Sequence, residues 1–178
     1  MPGSNLILIG YRGTGKSTVA QHLALSLGWD WADADVELEL RAGKSIAAIF
    51  AEQGEPAFRD LECQVIADLC QRQKTVVAAG GGAVLREENR RAIQAGGRAV
   101  WLRASPEAIL ARVESDAATA QRRPNLTVAG GAAEVRQLLA ARTPLYQACA
   151  TVIIDTDGKT PRQVVDEIIQ LCRLPRGS

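Results

Sequence analysis

Residues 10–18 read GYRGTGKST, and their types and spacing suit the grip of a polyphosphate. Gly10 and Gly15 bracket four residues ahead of Lys16 and Ser17, the G-x-x-x-x-G-K-[ST] pattern of a phosphate-binding P-loop. In such a loop the backbone around Gly13, Thr14, Gly15 and Thr18 turns its N–H groups inward on an anion at the start of a helix. Lys16 then sits beside the β- and γ-phosphates, and the Ser17 hydroxyl reaches Mg²⁺. Asp33 and Asp35 follow, two residues apart in WDWADAD. Paired carboxylates suit phosphoryl transfer: one can order the water shell of the metal while the other accepts the proton of an attacking hydroxyl. Asp155, after Val152-Ile153-Ile154, is the alternative for the metal. Taken alone, the D-A-D triplet is an ordinary solvated turn, and a glycine-rich loop is an ordinary tight turn.

These groups need elements to hold them. Leu6-Ile7-Leu8-Ile9 is a strand-length apolar run before the loop, and Val19, Ala20, Leu23, Ala24 and Leu27 mark one face of a helix behind it. WDWADAD predicts a second strand ending in Asp33 and Asp35, whose alternation would place both carboxylates on one face. Residues 36–41 predict a short helix, and Ser45 caps another that Gly54 breaks. Pro56 then opens a long helix with Phe58, Leu61, Val65, Ile66 and Leu69 on its apolar stripe, and Arg59 meets Glu62 three residues on. A strand at 75–79 runs into Gly80, Gly81 and Gly82. Residues 86–95 predict a surface helix, 98–103 a strand, and Ser105-Pro106-Glu107 the start of the next helix. From 115 to 131 the periodicity dissolves around Arg122, Arg123 and Pro124, as expected of a mobile loop over a site. A helix from 132 carries Val135, Leu138, Leu139, Arg142, Leu145 and Tyr146 on one face, with a bend expected near Pro144. Residues 151–154 give a last strand, and Thr160-Pro161-Arg162-Gln163 opens the final helix with a capping box. This alternation predicts a three-layer α/β/α fold around a parallel sheet. Acids just beyond a strand's carboxyl end lie where such sheets bind ligands.

At 178 residues the chain is expected to form a single domain. A net charge of +1 supplies no broad attraction to nucleic acid or anionic membrane, so the expected partner is a small molecule. The apolar runs are too short to span a bilayer, and the N-terminus lacks the pattern of a secretory signal, which predicts a cytoplasmic protein. Cys63, Cys70, Cys149 and Cys172 show no C-x-x-C spacing and the chain has one His, so free thiols are expected in place of a zinc site or disulfides. The tail at 174–178, ending in LPRGS, is either native or the remnant of a protease site and is left out of the fold argument.

GYRGTGKST, the DAD of 33–35, GEPAFRDLE at 54–62, GGG at 80–82, RPNL at 123–126 and RTPLY at 142–146 together resemble the shikimate kinases in order and spacing, over roughly residues 5–169. The resemblance implies a P-loop NTPase of the nucleoside-monophosphate-kinase-like fold with five parallel strands, a substrate-binding region at about 33–62 and a lid at about 113–131. It implies transfer of the ATP γ-phosphate to the 3-hydroxyl of shikimate by a monomer that uses Mg²⁺. Shikimate carries one carboxylate and three hydroxyls, so its site needs cations at one end and a base at the other. Arg59 and Arg142 would supply the cations, and Asp35 would contact the ring hydroxyls and deprotonate the attacking one. Gly81 would let the backbone approach the ring, with Gly80 and Gly82 shaping the turn. Lys16 and Arg123 would act on the phosphoryl group, with Arg122 the alternative to Arg123. Arg112 and the loop at 156–161 would hold adenine, while Ser17 and, through water, Asp33 would hold the metal. Arg12 is left open between phosphate and substrate. RPNL stands where compact members of the family carry RPLL, and the lid is longer than theirs. Two other functions fit the P-loop: another small-molecule kinase of the same fold, such as a gluconate kinase, and a non-catalytic nucleotide-binding regulatory domain. The first gives no reason for the FRxxE and RxPLY segments, and the second none for keeping Lys16, Asp35, Arg59, Arg123 and Arg142 together.

Overall fold

The computed structural model describes residues 5–115, 131–175 and 177. The apolar run before the P-loop forms β1 (Asn5–Ile9), with every residue buried. It is the central strand of a sheet completed by β2 (Asp30–Asp33), β3 (Thr75–Ala78), β4 (Gly97–Arg103) and β5 (Val152–Asp155). The five strands run parallel in the order β2-β3-β1-β4-β5. Strand alternation divides the core. Leu6 and Leu8 face α1 (Lys16–Leu27) and α7 (Pro161–Leu171), packing with Val19, Leu23, Val164 and Ile168. Ile7 and Ile9 face the opposite layer, built by α2 (Ala34–Ala42), α3 (Ile46–Cys70), α4 (Glu87–Gly96) and α6 (Gly131–Cys149), and pack with Leu38, Ile66, Ile93 and Tyr146. A smaller cluster of Tyr11, Ala104, Ile109 and Val135 joins the loop after β1 to α5 (Pro106–Ser115) and α6. This is the expected three-layer α/β/α architecture.

Strand order sets the site. Leu8 pairs with Ala78 and Ala78 with Asp33, so the carboxyl ends of β1, β3 and β2 lie side by side. The P-loop, the glycine triplet and Asp33 therefore leave the sheet together, in the crevice where parallel sheets take ligands.

Most elements match their sequence signals. Thr160 and Gln163 form the reciprocal capping box of α7. Ser45 accepts the Ala48 N–H at 3.1 Å, and Gly54, at φ 80° and ψ 173°, breaks α3 so that Pro56 falls in the first turn of its second part. The second strand differs. β2 stops at Asp33, whose Oδ1 accepts the N–H groups of Asp35 at 2.9 Å and Val36 at 3.3 Å and so caps α2. Capping satisfies N–H groups that the edge strand would leave without partners. Asp35 is consequently in the first helical turn, and strand alternation is not what relates it to Asp33. Among the described residues, no helix is long and apolar enough to cross a membrane.

Candidate active site

Gly15 stands at the N-cap of α1 with φ 85° and ψ 18°, a left-handed geometry natural to glycine, and no side chain caps this helix start. The first N–H groups of α1 thus form a positive cradle for an outside acceptor. Lys16 bridges the loop by donating to the Gly10 and Tyr11 carbonyls at 2.7 and 2.9 Å, and Thr14 Oγ1 donates to Tyr11 O at 2.8 Å. Ser17 Oγ donates to Asp33 Oδ2, bringing the two expected metal-associated groups together. No cluster of three or more His, Cys, Asp or Glu side chains suited to a metal exists among the described residues. A hydroxyl and a carboxylate beside a phosphate cradle instead fit a hard cation that keeps most of its ligands as water and phosphate oxygen. Asp155 is engaged elsewhere: Arg103 donates to it through Nε at 2.5 Å and another nitrogen at 2.9 Å.

One cleft runs from the P-loop toward the loop after β5 and is lined by Gly13, Thr14, Gly15, Thr18, Arg112, Thr156, Lys159 and Pro161. Arg112 spans it, donating to Thr156 Oγ1 and Thr156 O at 3.2 Å each and to Gly13 O at 3.4 Å. Arg112 thus ties the P-loop to the loop at 156–161, beside which the sequence places it.

A second cleft lies on the other side of the P-loop. Asp35, Phe50, Phe58, Arg59, Glu62, the three glycines and Arg142 line it, with Tyr11 and Arg12. Arg59, 7% exposed, donates through Nη1 to Glu62 at 2.7 Å and through Nε and Nη2 to Glu55 at 3.3 Å. Burial pushes the Glu62 carboxyl above its ordinary pKa, against the pull of Arg59, Arg142 and Arg86. Arg142 is 6% exposed, yet its Nε has no hydrogen-bond partner; its guanidinium lies 5.6 Å from the centre of the Tyr11 ring. A buried cation with an idle donor, lining a cleft, is suited to an anionic ligand.

The glycine triplet does more than turn the chain. A Cβ on Gly80 would stand 2.9 Å from both Asp35 Oδ1 and Glu62 Oε1, and one on Gly82 would clash with the Arg59 guanidinium, 2.8 Å from its Cζ. Gly80 and Gly82 therefore make room for the charged side chains of the pocket, beyond the turn-shaping role expected of them. The Tyr146 hydroxyl donates to Gly81 O at 2.5 Å and pins the triplet from α6. Sequence reasoning treated Tyr146 as core; its signal was its place one helical turn after Arg142 on the same face. Arg12 pairs with a buried acid, Glu134, that the sequence did not single out. Arg122, Arg123 and the RPNL segment lie outside the described residues.

The two clefts meet at the P-loop: one suits a nucleotide, the other a small acid whose hydroxyl faces a carboxylate. A family model for shikimate kinase matches residues 12–173. A shikimate kinase of Pseudomonas syringae pathovar tomato is 48% identical, the match covering 96% of this chain and 98% of the relative. Among solved structures, shikimate kinase from Acinetobacter baumannii in complex with shikimate superimposes with a TM-score of 0.90 at 36% identity, over 96% of this chain and 93% of that one. A gluconokinase from Sinorhizobium meliloti, with a TM-score of 0.57 and 17% identity over 97% of this chain and 93% of that one, shares the fold alone. Sequence, fold and the two clefts agree, and the chain belongs to the shikimate kinase family.

Proposed function

We propose that this protein transfers the γ-phosphoryl group of ATP to the 3-hydroxyl of shikimate, giving ADP and shikimate 3-phosphate. The observation that carries the substrate end is Arg142, a buried guanidinium with an unpartnered Nε in a cleft that Tyr11 and Arg12 of the P-loop also line. Together with Arg59, it would clamp the substrate's carboxylate through charge-assisted hydrogen bonds of roughly 1.5–3 kcal/mol each. The clamp fixes the ring, and Asp35 receives the proton of the attacking hydroxyl. Gly81 lets the backbone reach the ring, while Gly80 and Gly82 leave space for Asp35, Glu62 and Arg59.

On the nucleotide side, the backbone of residues 13–18 cradles the phosphates and Lys16 exchanges its carbonyl partners for phosphate oxygens. Arg112 and the loop at 156–161 hold adenine. Ser17 and Asp33 would hold Mg²⁺, Asp33 through water; when bound, the ion neutralises charge on the phosphates. Arg123 takes the role of a cation on the transferring group, a contribution of about 10³–10⁵ in rate for arginines of this kind. We place the enzyme in the cytoplasm, beside its ATP supply, as a monomer.

ADP release by the purified protein with MgATP tests the reaction, in parallel with shikimate, with gluconate and with no acid. Release that depends on shikimate is expected. Equal release with gluconate, or none with either acid, would refute the assignment.

A further inference from the structure

We propose that Glu134 is a positioning residue for the acid substrate: from α6 it holds the Arg12 guanidinium at the pocket wall, where Arg12 serves beside Arg142 as a further cation for the carboxylate. The proposal rests on the shikimate kinase function above. The P-loop pattern does not ask for an arginine at position 12. Its backbone nitrogen is 3.2 Å from where a Cβ on Gly81 would stand, and its side chain lines the same cleft as Arg142.

Two supports hold Arg12 without using up its donors. Glu134, whose side chain is completely buried, brings Oε1 to 3.5 Å from Arg12 Nη2, an ion-pair distance at the limit of a hydrogen bond. The Tyr11 ring lies 6.0 Å from the Arg12 guanidinium and 5.6 Å from that of Arg142. An aromatic ring steadies a cation electrostatically yet offers no carboxylate to cancel its charge. Nε of Arg12 and Nε of Arg142 are both buried and without a hydrogen-bond partner. Two neighbouring guanidiniums with idle donors, sharing one ring at one cleft, are complementary to a planar anion.

Helix α6 thus supplies one cation directly, Arg142, and about 12 Å earlier along its axis the carboxylate that aims another. Burying a carboxylate so completely serves the fold less well than an apolar side chain would. The ion pair with Arg12 gives it a part in the site.

Steady-state kinetics of wild type, Arg12→Ala, Glu134→Gln and the double variant test this. Wild-type turnover on shikimate comes first, because its absence would overturn the enzyme assignment itself. Given turnover, Arg12→Ala should raise the shikimate KM roughly 10- to 100-fold, the loss of one charge-assisted interaction. Glu134→Gln should raise it by a smaller factor, the ATP KM should stay within about twofold in both, and the double variant should be no worse than Arg12→Ala. The methyl ester of shikimate, which lacks the anion, should bind wild type and Arg12→Ala equally weakly. Equal rises in both KM values, additive effects in the double variant, an ester that distinguishes the proteins, or an unchanged shikimate KM in Arg12→Ala would each overturn the proposal. Should Glu134→Gln fail to fold, calorimetric binding of shikimate to Arg12→Ala decides, with undiminished affinity refuting it.

Discussion

Replacing Gly82 with alanine should disable the substrate site while sparing the fold. Gly82 has φ −97° and ψ 4°, a conformation alanine adopts without strain. The added Cβ would stand 2.6 Å from Arg59 Nη2 and 2.8 Å from Cζ, whereas ordinary contact begins near 3.4 Å. Nη1 lies closer still to the added Cβ, so the guanidinium must retreat by about 1 Å to regain ordinary contact. It is the flexible end of a long side chain, so the fold loses little. That retreat, however, strains the 2.7 Å bond to Glu62 and moves the carboxylate clamp. A misplacement near 1 Å costs on the order of 10²-fold in rate, or about 2.7 kcal/mol of transition-state stabilisation. Shikimate kcat/KM should fall by about that factor, with the ATP KM and the melting temperature nearly unchanged. Initial-rate assays with each substrate varied in turn, beside a thermal melt, measure all three. Wild-type kinetics for the alanine variant would show that Arg59 need not lie against Gly82 for the reaction. A parallel loss of ATP affinity would place the damage in the P-loop instead.

Asp35→Asn removes the proton acceptor and should lower kcat by roughly 10²–10⁴ with ATP affinity retained; stopped-assay turnover and nucleotide binding check it, and full turnover would take the base role from Asp35. Arg142→Ala should raise the shikimate KM by about one to two powers of ten and leave the ATP KM alone, and equal changes in both would move Arg142 out of the clamp. Glu62 supplies a pH test. Its folded-state pKa is raised, with burial the leading cause, so its ionisation favours the unfolded state: its contribution is fully present below the ordinary value of 4.5 and is lost as pH rises through the higher folded value. The stability of wild type relative to Glu62→Gln should therefore decline as pH rises from about 4.5 upward, read by urea unfolding across pH 4 to 7. A difference that grows with pH would mean that the Arg59 ion pair outweighs the burial.

Where sequence spacing carried information, the physics was local. β1 is legible because four consecutive apolar residues can all be buried only in a central strand, and the P-loop because Gly10, Gly15, Lys16 and Ser17 act within a few residues of one another. The same holds for Arg59 with Glu62, one helical turn apart, and for the capping box at Thr160. These neighbours determined that the protein handles a nucleotide and carries the residues for a small acid. Tertiary structure alone decided how those residues are used. Asp33 ends its strand and caps α2, its side chain accepting the Asp35 and Val36 N–H groups. Gly80 and Gly82 are small because Asp35, Glu62 and Arg59 arrive from α2 and α3. Asp155 and Asp33 look alike in sequence, but Arg103 from the neighbouring strand engages one and Ser17 from α1 binds the other. Tyr146 reaches Gly81 from 65 residues away, and Arg12 finds Glu134 only once α6 packs beside the P-loop. Backbone periodicity couples residues within a turn or two; contacts between elements follow from strand order and packing, which no local spacing encodes.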